Sequence, residues 1–347
     1  AGGGSVARFD AGGMLRVGPE SAGAEPGPIC FGRGTQATVT DANLLLGRLD
    51  EATFLGGSVH LDRERAATML DAQKGMLASV EEFAAGIVRV IDTEMEKAIR
   101  VISVGLGHDP REFTLVAFGG GGPLHACSLA RALGISRVLV PALPGALSAV
   151  GILFADTVRD YSRTVMLPGE AVESSGKIYV ELERRGSAEF AEEGLTGIGH
   201  RSMDMRYRGQ GYELNVPYDG HSPTRGLETF HHAHQQRYGF CDVARPVEIV
   251  NLRLRMIATG ERAMPSQSEP VTRDGSAPCY AERDVFFDGG FVRSCFYRRD
   301  ALLPGDAVVG PAMITEYTSA TALPPGCRAE VDDLGNLRID VTKEIDA

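Results

Sequence analysis

A run of four glycines followed closely by a histidine is the part of the sequence with the clearest capacity for chemistry. The stretch Leu115–Ala126 (LVAFGGGGPLHA) passes from apolar residues into Gly119–Gly122 and then into a helix-like segment that contains His125. Four consecutive glycines cost much backbone entropy, so a requirement for bare main chain would explain them. A glycine-rich turn before a helix offers free N–H groups and a positive dipole end, which suit a phosphate. A turn needed only for packing is the alternative.

Two well-known phosphate motifs do not fit the chain. The pattern G-x-G-x-x-G would need a glycine where Leu124 stands, and no GxxxxGK[ST] occurs. The remaining design is that of an actin-like ATPase, in which two domains each contribute a glycine loop. LVAFGGGG suits one loop, although Phe118 stands where a small residue is usual. GGGS at Gly2–Ser5 suits the second, although the strand and acidic residue expected before it are not in this chain, and a frayed terminus is the alternative.

Several polar side chains stand near these loops or in suggestive patterns. His125 falls one helical turn after the glycines and could bond a phosphate or a substrate oxygen, or pack against the loop. Asp41, in TVTDAN, could help to organise Mg²⁺ or a phosphate-bound water, or could cap a helix. His231 and His234 lie three residues apart on a predicted helix without a second ligand pair. We therefore interpret the two histidines as structural and predict no metal site of protein ligands.

The segments around these residues predict alternating strands and helices. TVTDANLLLGRL predicts a helix capped by Thr40 or Asp41 and ended by Gly47. Apolar residues at helical spacing over Asp62–Ser103 predict a helical pair or one broken helix. Two strand–helix steps follow, and their short connections imply parallel strands covered by helices. Their predicted elements are Leu115–Phe118, Leu124–Leu133, Arg137–Val140 and Leu147–Phe154.

The second half of the chain has a different character. After Asp156 a long charged helix and alternating segments precede short strands, which predicts an α+β part ending in a β-rich module. A variable linker is expected near Arg262–Ala277. No internal repeat is evident.

Composition excludes several classes of protein. The 347 residues carry a formal charge of −11 without strong basic clusters, so we expect no nucleic-acid or membrane partner. The six cysteines form no CxxC pair, which favours reduced thiols and a cytoplasmic location. The uncharged stretch Val138–Ala155 contains two prolines, which favours buried elements over a membrane span. The chain begins at Ala1 without a methionine, as the middle of a longer protein would.

Three long phrases closely resemble the hydantoinase A family, which includes N-methylhydantoinase, 5-oxoprolinase and subunits of acetone and acetophenone carboxylases. They begin GGGSVARFDAGGMLRVGPESAGAEPGPICFGRG, DPREFTLVAFGGGGPLHACSLARALG and RYRGQGYELNVP. The resemblance covers nearly the whole chain but only the C-terminal half of the family's usual subunit. It implies an α/β fold, in which the second lobe of an actin-like ATPase (residues 1–165) precedes an α+β, β-rich C-terminal domain (residues 166–347).

The resemblance also implies an activity and partners. We expect ATP- and Mg²⁺-dependent hydrolysis of a cyclic amide such as a hydantoin, N-methylhydantoin or 5-oxoproline. A ketone carboxylase subunit and a non-catalytic scaffold are the alternatives. The expected partners are the N-terminal half of the subunit and a hydantoinase-B-type subunit within an oligomer, and we expect the chain alone to hydrolyse no ATP. The implied nucleotide contacts are Gly2, Gly3, Gly4, Ser5, Gly119, Gly120, Gly121 and Gly122, with Asp41 and His125 as the catalytic candidates.

Overall fold

The computed structural model of the chain describes residues 2–219, 223–260 and 277–341. The linker predicted near Arg262–Ala277 therefore lies outside the described residues, apart from Ala277. Over the ranges just given, no helix has both the length and the apolar character needed to cross a bilayer.

The chain divides into two compact units. The first comprises Ala1–Val150 with Pro265–Ala347, and the second comprises Gly151–Met264. This spatial division does not follow the boundary at residue 165 that the resemblance implies, because the last part of the chain returns to the first unit.

The first unit starts with an antiparallel hairpin and three helices. These elements are β1 (Ser5–Phe9), β2 (Leu15–Ser21), α1 (Val39–Leu45), α2 (Arg63–Gln73) and α3 (Val80–Ile102). The segment Asp62–Ser103 is thus a helical pair, one of the two forms predicted. Gly75 has a φ of +62°, which interrupts the helical run. Ser79 then caps α3 by accepting a hydrogen bond from the Glu82 amide.

One stripe of α3 forms much of the core beneath these helices. Its buried residues recur at intervals of three and four, as in an amphipathic helix that covers a core. They are Phe83, Ala84, Ile87, Val88 and Ile91. Together with buried leucines of α1 they form one apolar cluster. The margin of this stripe is therefore where a polar side chain of α3 can reach a neighbouring helix.

The two predicted strand–helix steps are present. They consist of β3 (Leu115–Val116), α4 (Gly122–Leu133), β4 (Arg137–Val140) and α5 (Leu147–Phe154). Strands β3 and β4 are parallel, as predicted. Helix α4 begins two residues earlier than predicted, because Pro123 in its first turn needs no hydrogen-bond acceptor there. Gly134, with a φ of +72°, ends it.

The second unit contains one antiparallel sheet and two helices. Among its described residues, the strands lie in the order β5, β8, β6, β7. Buried aromatic and aliphatic side chains from the sheet and both helices, such as Tyr179 and Phe230, form its core. The elements are β5 (Thr157–Pro168), α6 (Gly176–Glu192), β6 (Ile198–Tyr207), β7 (Leu214–Pro217), α7 (Pro223–Tyr238) and β8 (Val247–Ala258).

The last strands complete two sheets of the first unit. They are β9 (Ala281–Phe287), β10 (Gly290–Arg298), β11 (Ala307–Val309), β12 (Ala312–Thr315), β13 (Ala320–Leu323), β14 (Cys327–Val331) and β15 (Leu337–Val341). One described sheet has the order β13, β12, β10, β9, and the other has the order β11, β14, β15, β4, β3. Leu337 pairs with Val140, so β15 lies directly beside the early strand β4.

Candidate functional site

A cavity of about 610 Å³ in the first unit brings the two glycine segments together. Its walls come from the N-terminal residues, the region of α1, helix α3, the start of α4 and the hairpin loop between β12 and β13. Six of the eight predicted nucleotide-contact residues line it, and so does His125. The lining residues include Gly2, Gly3, Thr40, Asp50, Gly119, Gly120, Gly121, Gly122, His125 and the loop residues 315–320.

The four glycines before α4 do not all have a structural reason to be glycine. Gly119 has a φ of +84°, which disfavours other residues. A methyl group on Gly120 would lie 3.1 Å from the carbonyl oxygen of Thr318. Gly121, in contrast, has a φ of −103°, and a methyl group there or on Gly122 would meet no other part of the described chain within 4 Å. The bare main chain at these last two positions is therefore free to receive a ligand.

Hydrogen bonds to the protein fix the first glycine of this loop, whereas the amides of its last two glycines make none in the described chain. The Gly119 amide donates to the Pro144 carbonyl at 2.8 Å, and the Ser319 hydroxyl donates to the Gly119 carbonyl at 3.2 Å. In the part of the chain that the structure describes, the amides of Gly121 and Gly122 have no protein acceptor. Unsatisfied N–H groups at the first turn of a twelve-residue helix are a favourable environment for an anion.

Only the first part of the N-terminal GGGS segment lines the cavity. A methyl group on Gly2 would meet nothing within 4 Å, whereas one on Gly3 would collide with the Thr40 hydroxyl. The Thr40 amide donates to the Gly3 carbonyl at 2.8 Å, which holds this segment against α1. Gly4 packs against β2 instead, and Ser5 is buried with its hydroxyl accepting from the Gly2 amide at 3.3 Å. The geometry thus favours Gly2 and Gly3 as ligand contacts, but not Gly4 or Ser5.

His125 is hydrogen-bonded to an aspartate, Asp92, that was not among the candidates predicted from the sequence. The imidazole Nδ1 lies 2.6 Å from Oδ1 of Asp92, which extends from α3. Both side chains are largely buried, at 6% and 19% exposure. Asp92 directly follows Ile91 at the margin of the buried stripe of α3. The sequence places Asp92 beside the apolar face of a predicted helix, but nothing in the sequence shows that His125 is its partner.

Asp41 does not line the cavity, and its surroundings favour the capping role over the catalytic one. The residue is fully buried. One carboxylate oxygen accepts from the Thr38 amide, the Thr38 hydroxyl and the Ile29 amide, and the other accepts from the Cys30 amide at 2.8 Å. Because Asp41 is fully buried outside the cavity and accepts hydrogen bonds from protein donors on both oxygens, its surroundings do not favour a contact with Mg²⁺ or a phosphate-bound water.

The cap of α1 is Thr38, so the prediction of Thr40 or Asp41 as the cap is wrong. Thr38 and Asp41 form a reciprocal capping box, in which Asp41 is the third residue of the helix. An aspartate in place of the usual glutamate at that position made the box harder to recognise from the sequence. Gly47 follows the helix with a φ of +73°, as predicted for its end.

The cavity wall also contains a buried carboxylate, Asp50, which is paired with groups from the last third of the chain. Asp50, 4% exposed, accepts hydrogen bonds from Arg283 at 2.7 Å, Tyr280 at 2.8 Å and the Ala52 amide at 3.0 Å. Burial raises the pKa of Asp50, but these three donors outweigh burial and leave the pKa below its usual value. Asp50 is therefore ionised at neutral pH.

Glu316, in the hairpin loop between β12 and β13, also lines the cavity. Burial raises the pKa of the Glu316 carboxyl, and the charge of Arg299 opposes that rise only in part. Its Oε1 is buried without a hydrogen-bond partner among the described residues. Neither Asp50 nor Glu316 could be recognised from the sequence, because their surroundings depend on contacts distant along the chain.

The two histidines of α7 are part of a polar cluster within the second unit. The Tyr207 hydroxyl bonds Nδ1 of His231 at 2.8 Å. Nδ1 of His234 donates to the Phe240 carbonyl at 2.8 Å, and its Nε2 accepts from Gln210 at 3.2 Å. These contacts support the structural interpretation of the helix, and the described residues contain no group of three or more His, Cys, Asp or Glu arranged to hold a metal.

Known protein families match almost the whole chain. The profile described as hydantoinase/oxoprolinase matches residues 1–161, and the profile described as hydantoinase/oxoprolinase C-terminal domain matches residues 168–339. Together these matches leave only short segments unassigned.

Three curated relatives illustrate the range of the similarity. The chain is 35% identical to the caprolactamase subunit alpha of Pseudomonas jessenii, over 96% of this chain and 50% of the relative. It is 33% identical to 5-oxoprolinase 1 of Arabidopsis thaliana, over 98% and 29%, respectively. It is 28% identical to the acetone carboxylase beta subunit of Xanthobacter autotrophicus, over 96% and 50%. The chain thus spans half or less of the length of these relatives.

Solved structures share the fold. The nucleotide-free structure of an acetone carboxylase matches with a TM-score of 0.82 at 24% identity, over 99% of this chain and 52% of that one. The ATP-dependent caprolactamase from Pseudomonas jessenii matches with a TM-score of 0.69 at 32% identity, over 98% and 52%. The mixed α/β sheets described above are therefore those of the same fold.

Proposed function

Because this chain belongs to the hydantoinase/oxoprolinase family, we propose that it forms part of an enzyme that hydrolyses a cyclic amide with consumption of ATP. The substrate is of the hydantoin, N-methylhydantoin or 5-oxoproline type. Residues 1–165 carry the second lobe of an actin-like ATPase in this proposal, and residues 166–347 carry the C-terminal domain. The relatives named for caprolactamase and 5-oxoprolinase activity support a cyclic-amide substrate.

The observation that carries the proposal is the bare main chain at Gly121 and Gly122, beside Gly2 and His125, in one cavity. The free amides there fit a phosphate chain, which needs donors and close approach but no side chain. Bound ATP would supply the phosphoryl group that turns an unreactive amide oxygen into a good leaving group. The chain's own contribution is to position the phosphates with these amides and to place a proton-exchanging imidazole next to them.

Mg²⁺ accompanies ATP in this proposal, but the described residues contain no cluster of ligands for it. Mg²⁺ usually keeps several waters and binds through substrate phosphates and one or two carboxylates. We therefore assign the ion to the nucleotide and the partner segments and derive no step from it. Asp41 is not its ligand in this scheme, since that carboxylate is buried outside the cavity and accepts hydrogen bonds from protein donors on both oxygens.

Completion of the enzyme requires other polypeptide segments. The relatives are about twice as long as this chain or longer, and two of them are named as subunits. We propose that the N-terminal half of a hydantoinase-A-type subunit supplies the other wall of the ATP site and that a hydantoinase-B-type subunit joins it in a cytoplasmic oligomer. The chain alone then binds nucleotide weakly and hydrolyses none.

Photolabelling tests the nucleotide site directly. We expect 8-azido-ATP at millimolar concentration to label peptides that line the cavity, and unlabelled ATP to compete. Gly121→Val should reduce labelling at least about tenfold, since Gly121 lines the cavity and a Cβ there meets no described atom within 4 Å. Gly176→Val is the matched control, because Gly176 also lies at a helix start with open space around it. Labelling remote from the cavity, or equal labelling in Gly121→Val, would refute the nucleotide site.

A ketone carboxylase subunit is the second candidate, supported by similarity to the acetone carboxylase beta subunit. ATP turnover by the chain co-expressed with the proposed partners separates the two activities. Stimulation by hydantoin, 5-oxoproline or a lactam supports the amidohydrolase, whereas stimulation by acetone with bicarbonate supports the carboxylase. A scaffold without catalytic function would show neither stimulation nor photolabelling.

A further inference from the structure

We propose that Asp92 is a positioning residue that fixes the tautomer and orientation of His125, so that Nε2 of the imidazole is the hydrogen-bond acceptor presented to the cavity. The catalytic purpose of this arrangement rests on the proposed function, whereas the hydrogen-bonding argument for the tautomer does not. Asp92 lies 2.6 Å from Nδ1 and is not among the cavity-lining residues, whereas His125 is. Asp92 therefore acts through His125 and does not itself meet the ligand.

The tautomer follows from what a carboxylate can do. An ionised aspartate has only acceptor oxygens, so the ring nitrogen facing Asp92 must carry the proton. In the neutral imidazole the other nitrogen, Nε2, then keeps its lone pair. A ring in this state can accept a proton from a water or ligand, and the same carboxylate stabilises the imidazolium that forms.

A buried arginine, Arg48, lies near Asp92. Arg48, 8% exposed, lies close enough for its charge to interact with Asp92 and with Asp288. Burial lowers the pKa of the Arg48 guanidinium, and both carboxylates oppose that effect. Arg48 donates to the Phe286 carbonyl at 3.2 Å, which fixes the cation on the side of β9. Of Arg48, Asp92 and His125, the histidine is the one that lines the cavity.

Rigid elements hold the pair in place. Asp92 lies on the 23-residue helix α3, and His125 lies in the first turns of α4. Both residues occupy helices, and His125 is flanked by buried neighbours, Leu124 and Ala126. A short hydrogen bond between two packed helices leaves the ring little freedom to rotate. The same contact joins α3 to α4, the helix that starts at the bare glycines.

Nitrogen NMR of the chain labelled with ¹⁵N-histidine tests the inference without any enzymatic assay. His125→Asn identifies the His125 signals by their loss. In the unaltered chain near pH 8 we expect a protonated, pyrrole-type Nδ1 and a pyridine-type Nε2. Asp92→Asn should abolish this preference, with Nε2 gaining protonated character. Glu96→Gln is the control. Glu96 lies on the same helix, but its carboxylate pairs with Arg100 at the surface, so this substitution should leave the spectrum unchanged.

The possible outcomes separate this inference from the proposed function. A protonated Nε2 with a pyridine-type Nδ1 in the unaltered chain would refute the inference, as would an unchanged tautomer in folded Asp92→Asn. A merely structural aspartate would change the stability but not the tautomer. If Asp92→Asn does not fold, the spectrum of the unaltered chain still shows which ring nitrogen of His125 carries the proton. Loss of the nucleotide site in the photolabelling experiment would leave these NMR results untouched.

Discussion

Replacement of Asp41 offers the sharpest test of whether that residue supports the fold or the chemistry. In Asp41→Ala the carboxylate half of the α1 capping box is lost, at about 1 kcal/mol. The buried Ile29 and Cys30 amides also lose their acceptor, at about 1–3 kcal/mol each. The sum, about 3–7 kcal/mol, is a large part of the 5–15 kcal/mol that usually stabilises a domain. We therefore expect Asp41→Ala to destabilise the first unit severely.

The measurement must report on the first unit alone, because two compact units can unfold separately. Hydrogen exchange followed by mass spectrometry over residues 28–46 meets this need. We expect protection there to fall by several orders of magnitude in Asp41→Ala, and by less in Asp41→Asn, which keeps one acceptor oxygen. Asp62→Ala is the control, since Asp62 caps α2 through a single bond to the Arg65 amide and should cost about 1 kcal/mol.

Two outcomes distinguish the interpretations of Asp41. Loss of protection with a parallel loss of nucleotide labelling is the result of a damaged fold. Full protection in Asp41→Ala together with abolished ATP turnover in the assembled enzyme would show that the capping interpretation is wrong and that the carboxylate takes part in the reaction.

Two further predictions concern the second unit. Tyr207→Phe removes a buried hydroxyl that bonds His231 and should lower the free energy of unfolding by about 1–3 kcal/mol, measured by urea denaturation, whereas exposed Tyr212→Phe should change it little. Burial raises the pKa of Asp204, but hydrogen bonds from two asparagines and Arg253 outweigh burial and lower it. The resulting stabilisation is full above the unfolded pKa of about 4 and is lost as the pH falls through the lower folded value. Asp204→Asn should therefore flatten the fall in the urea midpoint below pH 4, and an unchanged slope would contradict this assignment.

Local elements were predictable because local chemistry determines them. The strand Arg137–Val140 and the helix Leu147–Phe154 have the predicted bounds. Helix α4 ends at Gly134, because the chain there takes a left-handed backbone conformation that glycine adopts readily. The capping residue of α1 was missed, because Thr38, Thr40 and Asp41 stand close together and each is a residue type that can serve as the cap.

The candidate site was predictable only where the backbone itself carries the signal. The glycines pointed to the cavity because an unusual run of them needs a cause. The acidic residues of the site carry no such signal: Asp50 gains its role from Arg283, which is 233 positions away, and Asp92 from His125. Likewise, no local pattern indicates that β15 pairs with β4. Such contacts arise from the tertiary fold, which sequence periodicity does not encode.

The pairing of Leu337 with Val140 has a consequence for biosynthesis. During translation β4 leaves the ribosome early, and nearly two hundred further residues must be synthesised before its neighbour β15 is available. Closing so long a loop is slow, and the waiting strand edge is a site where another nascent chain can attach. The second unit, translated during this interval, needs only its own residues to form its sheet. Assembly of the cavity is thus among the last events in the maturation of the polypeptide.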